Sequence, residues 1–130
     1  KDKFNESAKK YKKKKRKNDP IWRLNENIRS NIGRVFRDLN ITKKSKTFEI
    51  LGCSKEELKE HLEKQFKYWM SWDNYGTTTA NIKERNQFWD IDHIIPISKA
   101  TTEEEAYILN HFTNLQPLCS YENRFIKPYI

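Results

Sequence analysis

The sequence predicts an α+β fold, with helices in the N-terminal part and two short strands with a final helix in the C-terminal part. Three observations predict this division. Apolar residues recur at helical spacing between Leu24 and Leu39. The stretch FWDIDHII, residues 88–95, has the alternation and isoleucine content of a half-buried strand. A second stretch, HFTNLQPLC, residues 111–119, predicts a second strand, and 130 residues suit one compact domain.

The positive charge of the chain is concentrated at its N-terminus. Lys and Arg number 26 against 18 Asp and Glu, and residues 1–17 alone account for the whole net charge of +8. This composition predicts a basic, flexible arm over residues 1–17 that contacts the phosphates of a polyanion, or alternatively a solvated tail or localisation signal. The nucleic-acid-binding candidates in the arm are Lys9, Lys10, Lys12, Lys13, Lys14, Lys15, Arg16 and Lys17.

Residues 18–76 form the second predicted region, which is helical and expected to contact DNA. Asn18 or Asp19 can cap a first helix, and Pro20 suits its first position. One apolar stripe follows, made of Leu24, Ile28, Ile32, Val35, Phe36 and Leu39. The arginines outside the stripe are candidate phosphate contacts or ordinary solvated charges, and they are Arg23, Arg34 and Arg37.

Further helical signals follow the polar link NITKKSK, residues 40–46. TFEILGC predicts a short helix that Gly52 ends. Ser54 and Glu57 form a capping box that opens a helix predicted to continue to Trp69. His61 lies between charged neighbours in that helix and is expected to be exposed and inert, while SWDNYGTTT predicts a loop.

Residues 77–130 carry the ionisable residues that suggest chemistry. After the first strand, Thr102 with Glu105 predicts an inserted helix, and Ser120 is expected to cap a final helix in SYENRFIK. The strand places Asp92 and His93 among isoleucines, where ionisable groups are costly unless they are paired or used.

Asp92 and Asn123 offer a carboxylate and an amide oxygen, which suit a Mg²⁺ ion that completes its shell with water and phosphate. His93 has the side chain whose ordinary pKa, about 6.5, lets it take a proton from water near neutrality. Adjacent residues of a strand point to opposite faces, so Asp92 can hold a metal while His93 addresses a water. These residue types indicate phosphodiester hydrolysis.

Three separated blocks, IDHIIP, TNLQPLC and ENRFIK, resemble the HNH endonuclease family and its ββα-metal motif. The upstream block LGCSKEELKEHLEKQF…WDNYG is similar to a phage-type branch of that family. The resemblance implies that residues 77–130 are an HNH nuclease core, with a short helical insertion between the two strands of the motif. It implies that His93 is the general base, that Asp92 and Asn123 bind the metal, and that Asn114 holds the loop and orients His93. The implied products are a 5′-phosphate and a 3′-hydroxyl.

Two positions depart from the family pattern. Relatives often have His where this chain has Asp90, which could add charge to the metal site or form a salt bridge with a neighbour. The final Lys of the family lies three residues after the Asn, whereas Lys127 lies four residues after Asn123. Lys127 and Arg124 are nonetheless candidates for contact with DNA phosphate.

Cysteine usage argues against a structural zinc. Cys53 and Cys119 form no C-x-x-C pair, and two reduced thiols in a cytoplasmic protein are expected, with a single long-range disulfide as the alternative. A zinc site of His93, His111 and Cys119 would leave the two asparagines unexplained, and His111 is expected to be a hydrogen-bonded structural residue.

The expected partner is double-stranded DNA, cut on one or both strands with Mg²⁺, or with Mn²⁺ or another divalent ion. A monomer is favoured, no membrane is expected, and a phage-encoded protein would act in the bacterial cytoplasm. The alternatives are a non-catalytic DNA-binding module of the same fold and a ribonuclease.

Overall fold

The computed structural model describes residues 2–42 and 45–129, and within them the chain has a mixed α and β structure. Its principal elements are α1 (Asp2–Asn18), α2 (Pro20–Asp38), α3 (Thr47–Leu51), α4 (Lys55–Glu63), β1 (Trp89–His93), α5 (Glu103–Leu109), β2 (Leu115–Cys119), a π-helix (Glu122–Ile126) and a 3₁₀ turn (Lys127–Tyr129). Residues 122–129 are called the C-terminal helix below. This mixed structure is compatible with the predicted α+β class. Lys43 and Lys44 of the predicted polar link lie outside the described residues.

The basic N-terminal segment is a regular helix, α1, where the sequence predicts a flexible arm. Lys and Arg are good helix formers, and the last turn of α1 is connected to α2. Lys15 Nζ lies 3.5 Å from Asp19 Oδ2, and Arg23 donates a 2.9 Å hydrogen bond to the carbonyl oxygen of Arg16. These contacts give the end of α1 a defined place beside the first turn of α2.

Helix α2 places the apolar stripe of the sequence in the core. It begins as predicted, because Asp19 Oδ1 accepts a 3.0 Å hydrogen bond from the backbone N–H of Trp22 and Pro20 occupies the first turn. The fully covered members of the stripe are Leu24, Ile28, Ile32 and Phe36. Burial of each such side chain stabilises the fold by about 1.5–3 kcal/mol, which makes α2 the central helix of the core.

The short helices α3 and α4 follow their predicted signals at one end only. Gly52 ends α3 in the left-handed conformation, with φ of 81°, and the capping box of Ser54 and Glu57 opens α4. The prediction that α4 continues to Trp69 is wrong, because it ends at Glu63. Phe66 instead turns toward the rings of two tryptophans, with centroid distances of 5.6 Å to Trp72 and 5.1 Å to Trp89. Aromatic packing in the core outweighs local helix propensity here.

Strands β1 and β2 form an antiparallel pair in which Asp92 faces Gln116 and His93 faces Leu115. Both strands are shorter than the predicted stretches. Strand β1 ends at His93 because the next two backbone N–H groups both bond to Asn114. The carbonyl oxygen of Asn114 accepts from Ile94 N at 2.8 Å, and its side-chain Oδ1 accepts from Ile95 N at 2.9 Å.

The elements that flank β2 confirm one predicted cap and contradict another. Thr102 caps α5 through the N–H of Glu105, as predicted. Ser120 does not cap the final helix: its backbone N–H donates to Phe88, and its buried Oγ has no hydrogen-bond partner among the described groups. None of the helices in the described part of the chain has the length and apolarity that crossing a bilayer requires.

Candidate functional site

Asp92 is a buried carboxylate whose two oxygens each accept from a side chain. Only 6% of its surface is exposed. Its Oδ2 accepts a 2.9 Å hydrogen bond from Nε2 of Gln116, the residue directly opposite on β2, and its Oδ1 accepts from the ammonium of Lys127. A buried charge is tolerated only when it is paired and hydrogen-bonded in this way.

Lys127 lies inside the site, whereas the sequence suggested a contact with DNA phosphate. Its ammonium donates to Asp92 Oδ1 and, at 2.8 Å, to the backbone carbonyl oxygen of His93. Two oxygens of neighbouring β1 residues therefore hold one positive charge.

His93 is held by a residue that the sequence did not single out, Asn110. His93 Nε2 lies 3.3 Å from Asn110 Oδ1, and Asn110 Nδ2 donates at 2.9 Å to the carbonyl oxygen of Ala106. Because Asn110 uses its amide nitrogen on Ala106, its oxygen is the acceptor and His93 Nε2 carries the proton. Burial lowers the pKa of His93 below its usual value, although the hydrogen bond with Asn110 and the charge of Asp92 act in the opposite direction. The neutral imidazole then has its lone pair on Nδ1.

Asn114 fixes the loop that follows β1. Its side-chain oxygen accepts from Ile95 N, and its side-chain nitrogen donates to the carbonyl oxygens of Ile95 at 3.0 Å and Leu109 at 2.9 Å. The expected loop-holding contact is thus present. The direct side-chain contact to His93 comes from Asn110, so Asn114 acts on His93 only through the backbone of the loop.

Asn123 and Asp90 are joined on the C-terminal helix side of the sheet. Asn123 Nδ2 donates at 3.2 Å to Asp90 Oδ2, which directs the amide nitrogen of Asn123 to Asp90 and leaves its oxygen as the atom that could bind a cation. Arg124 donates to both oxygens of Asp90, from Nε to Oδ2 at 2.9 Å and from Nη2 to Oδ1 at 2.8 Å. Asp90 therefore takes the salt-bridge alternative and positions Asn123, rather than offering a free carboxylate.

These residues meet in one cleft of about 530 Å³ between α2 and the sheet. The site residues that line it are Asp92, His93, Asn110, Asn123 and Lys127. Asn31 and Arg34 of α2 form part of the facing wall.

A second cavity of about 870 Å³, called the basic groove here, shares wall residues with the cleft. Its basic lining residues are Lys13, Arg16, Lys17, Arg23, Arg34 and Arg124. Asp90, which is paired with Arg124, is the acidic residue in its described lining. Asn31, Arg34, Ile91 and Asn123 line both cavities, so the groove leads into the cleft.

Apart from Lys127, which lines the cleft, the other predicted phosphate contacts lie outside both cavities. They are Lys9, Lys10, Lys12, Lys14, Lys15 and Arg37. All are exposed except Lys15, which is partly covered beside Asp19. The structure thus sorts the predicted basic residues into a set that shares one groove and a set that does not.

The remaining histidines and both cysteines have structural contacts. The expectation that His61 is exposed is wrong: the residue is partly buried, and its Nε2 lies 3.0 Å from the carbonyl oxygen of Leu115. His111 is hydrogen-bonded as predicted, with Nδ1 2.8 Å from Thr113 Oγ1. Cys53 and Cys119 are free and buried, and burial raises the pKa of Cys53 to about 11. Across residues 2–42 and 45–129, no three His, Cys, Asp or Glu side chains cluster as metal ligands.

The sequence analysis did not identify Asn110, which contacts His93, or Gln116, which contacts Asp92. Gln116 could have been found from the strand register, because a residue opposite Asp92 on an antiparallel partner lies on the same face. Asn110 follows the last turn of α5, and its contact with His93 depends on how α5 docks, for which the sequence has no local signal.

The chain is similar to two longer viral proteins. It is 29% identical over 109 residues to the uncharacterized protein L246 of Acanthamoeba polyphaga mimivirus, a match that covers 80% of this chain and 41% of that protein. It is 31% identical over 107 residues to the uncharacterized protein L426 of the same virus, covering 81% of this chain and 42% of the relative. The chain therefore spans about two fifths of the length of these relatives. No protein-family model matches the chain, and no solved structure matches it.

Proposed function

We propose that this chain is a metal-dependent endonuclease of the HNH type that hydrolyses phosphodiester bonds of double-stranded DNA, leaving a 5′-phosphate and a 3′-hydroxyl. One observation carries the proposal. Asp92, His93 and Asn123, which come from β1 and the C-terminal helix, line a single cleft that continues into the basic groove. A groove of positive charge would bind the DNA backbone, and the cleft would receive the phosphate to be cut.

The donor set in the cleft fits a hard divalent cation. Asp92 and Asn123 would hold the ion through a carboxylate and an amide oxygen, as Mg²⁺ and Mn²⁺ prefer. The contacts of the Lys127 ammonium with Asp92 and with the carbonyl oxygen of His93 support the proposal, because they place one positive charge at the same oxygens. Such an ion supplies Lewis-acid stabilisation of charge on the phosphate and on the leaving 3′ oxygen.

His93 is suited to accept the proton of the attacking water. Its lowered pKa keeps the imidazole neutral at pH 7, and its Nε2–H···Oδ1 bond to Asn110 leaves the Nδ1 lone pair to act as base. Asp92 and His93 are neighbours on β1, so their side chains leave the strand on opposite faces. The base and the metal-binding carboxylate can then act on different sides of one phosphate.

A non-catalytic DNA-binding module is the second candidate, and one observation favours it. Lys127 neutralises Asp92, the one carboxylate of the proposed metal pair, so the site carries no excess negative charge before DNA binds. In such a module the basic groove would bind DNA, and the ion pair would be a purely structural feature of the fold.

A plasmid-nicking assay separates the two candidates. We expect supercoiled DNA to be cut with Mg²⁺ and to stay intact with EDTA. His93→Ala should lower the rate by about 10²–10⁴-fold, the usual cost of losing a general base, while DNA affinity stays within about twofold. Asp92→Asn should abolish cutting, and Asp73→Asn, which changes an exposed carboxylate, should cut like the parent protein.

The outcomes of this assay are distinct. Full cleavage in EDTA would contradict the metal-dependent mechanism, and an unchanged rate for His93→Ala would show that the histidine is structural. DNA binding without cleavage by the parent protein in Mg²⁺ or Mn²⁺ would favour the binding module.

A further inference from the structure

Helix α1 presents two different faces, and only one of them lines the basic groove. Lys13, Arg16 and Lys17 are spaced at three- and four-residue steps, so they lie on one side of the helix and line the groove. Lys12, Lys14 and Lys15 project from the remaining circumference and do not line it. The helix thereby divides a uniform run of basic residues into two sets of three.

Arg23 holds the last turn of α1 against the groove. Its guanidinium donates to the carbonyl oxygens of Arg16, at 2.9 Å, and of Tyr75. It also lies 5.1 Å from the centre of the Tyr75 ring, which is buried. One side chain thus links α1, α2 and the loop before β1, so this wall of the groove has a fixed position.

The positive charge of the groove is in large part uncompensated. Within the described chain, Arg124 is paired with Asp90, but Lys13, Arg16 and Lys17 have no salt bridge to a carboxylate. Like charges gathered on one wall repel each other, and binding of a polyanion would relieve that repulsion. Asn31, Arg34 and Asn123 line both the groove and the cleft, so a polyanion bound in the groove would extend toward the cleft.

We propose that the groove-facing side of α1 binds the phosphates of the DNA strand that enters the cleft, and that the other basic residues of α1 contribute only diffuse attraction. This inference rests on the proposed function for the identity of the polyanion. It assigns the path of the substrate: phosphates follow Lys13, Arg16 and Lys17, pass Arg34, and reach Asp92 and His93.

Two triple variants with equal charge loss test the path. The groove variant is Lys13→Gln, Arg16→Gln, Lys17→Gln, and the matched control is Lys12→Gln, Lys14→Gln, Lys15→Gln. Fluorescence anisotropy with a duplex oligonucleotide, in EDTA, gives the dissociation constant across a range of salt concentrations, and circular dichroism verifies that both variants keep their helix content.

We expect the groove variant to flatten the slope of log K against log salt by up to about 2.7, because each lost phosphate contact accounts for about 0.9. The control should change the slope by less than about one unit, since its three lysines do not line the groove. Equal changes in the two variants would overturn the inference and assign α1 a diffuse electrostatic role.

The same variants distinguish failure of the path from failure of the proposed function. If the two triple variants differ in DNA binding but the parent protein does not nick DNA in Mg²⁺ or Mn²⁺, the groove assignment stands and the nuclease proposal is rejected. Nicking by the parent protein with equal slopes in both triples would keep the nuclease and reject the path.

Discussion

Replacement of Lys127 by Met should destabilise the metal-free protein and increase its response to Mg²⁺. Methionine keeps an apolar stem but removes the ammonium that neutralises Asp92. The carboxylate would then stay buried, at 6% exposure, with Gln116 as its remaining side-chain donor. An uncompensated buried charge is the main cost of this change.

The size of the effect follows from the burial of the pair. Removing one partner of a fully buried ion pair costs about 3–5 kcal/mol. The side chain of Lys127 is 31% exposed, so water can reach the freed oxygen and we expect a loss of about 2–3 kcal/mol. For a chain of this length, that corresponds to a decrease in Tm of about 6–15 °C.

Magnesium should reverse most of this loss. In the parent protein Mg²⁺ must displace the ammonium of Lys127 from Asp92, which predicts weak binding before DNA is present. In Lys127→Met the ion meets a free carboxylate, and saturation to a hundred times Kd would restore about 2.7 kcal/mol. Thermal denaturation in rising MgCl₂ at constant ionic strength measures the difference, with Lys99→Met, an exposed lysine, as the control. A variant that melts like the parent protein and shows no greater response to Mg²⁺ would refute this account of the site.

Three further predictions concern the imidazole, its partner and a turn. Because burial lowers the pKa of His93 in the folded state, the unfolded chain takes up the proton first; stability should fall as pH drops below about 6.5 and through the lowered pKa. His93→Gln should lack this pH-dependent part of the free energy of unfolding, which urea denaturation at several pH values measures. The same pH dependence in the variant and the parent protein would contradict the prediction. Asn110→Leu removes the acceptor of the His93 Nε2 proton and the side-chain donor to the carbonyl oxygen of Ala106, which keeps the backbone N–H of residue 110, so we expect a loss of about 1–3 kcal/mol and slower nicking at unchanged DNA affinity; parent-like nicking would show that the contact does not matter. Gly52→Ala should cost more than about 1 kcal/mol in urea denaturation, because φ is 81° and the new Cβ would overlap the ring of His111; adding His111→Ala should recover only the overlap, and full recovery would mean that the backbone is unstrained.

Local signals were sufficient to predict the ends of several elements. Helix caps and stops depend on contacts within a few residues, so a short stretch of sequence is enough to predict them. This holds for the caps at Asp19, Ser54 and Thr102 and for the stop at Gly52. The end of α4 was not predictable in this way, because Phe66 leaves the helix to join aromatic rings that arrive from other parts of the chain.

The candidate site was predictable as a set of residues but not as a set of contacts. Ionisable side chains are costly in an apolar strand, and this identified Asp92 and His93 as candidate site residues. Their partners Gln116, Lys127 and Asn110 depend on strand register, on the turn of the C-terminal helix and on the docking of α5. Each of these is a tertiary property that no short window of the sequence contains.

The π-helix explains how Lys127 reaches Asp92 despite its spacing. A π turn contains one residue more than the α turn it replaces, and here the backbone N–H of Lys127 donates to the carbonyl oxygen of Glu122, five positions earlier. By the resemblance the lysine is expected three residues after the asparagine, and in this chain it lies four residues after it. The wider turn spans these four positions while Asn123 donates to Asp90 and Lys127 donates to Asp92. The π turn thereby brings two polar side chains, four positions apart, to two carboxylates that lie two positions apart on one face of β1.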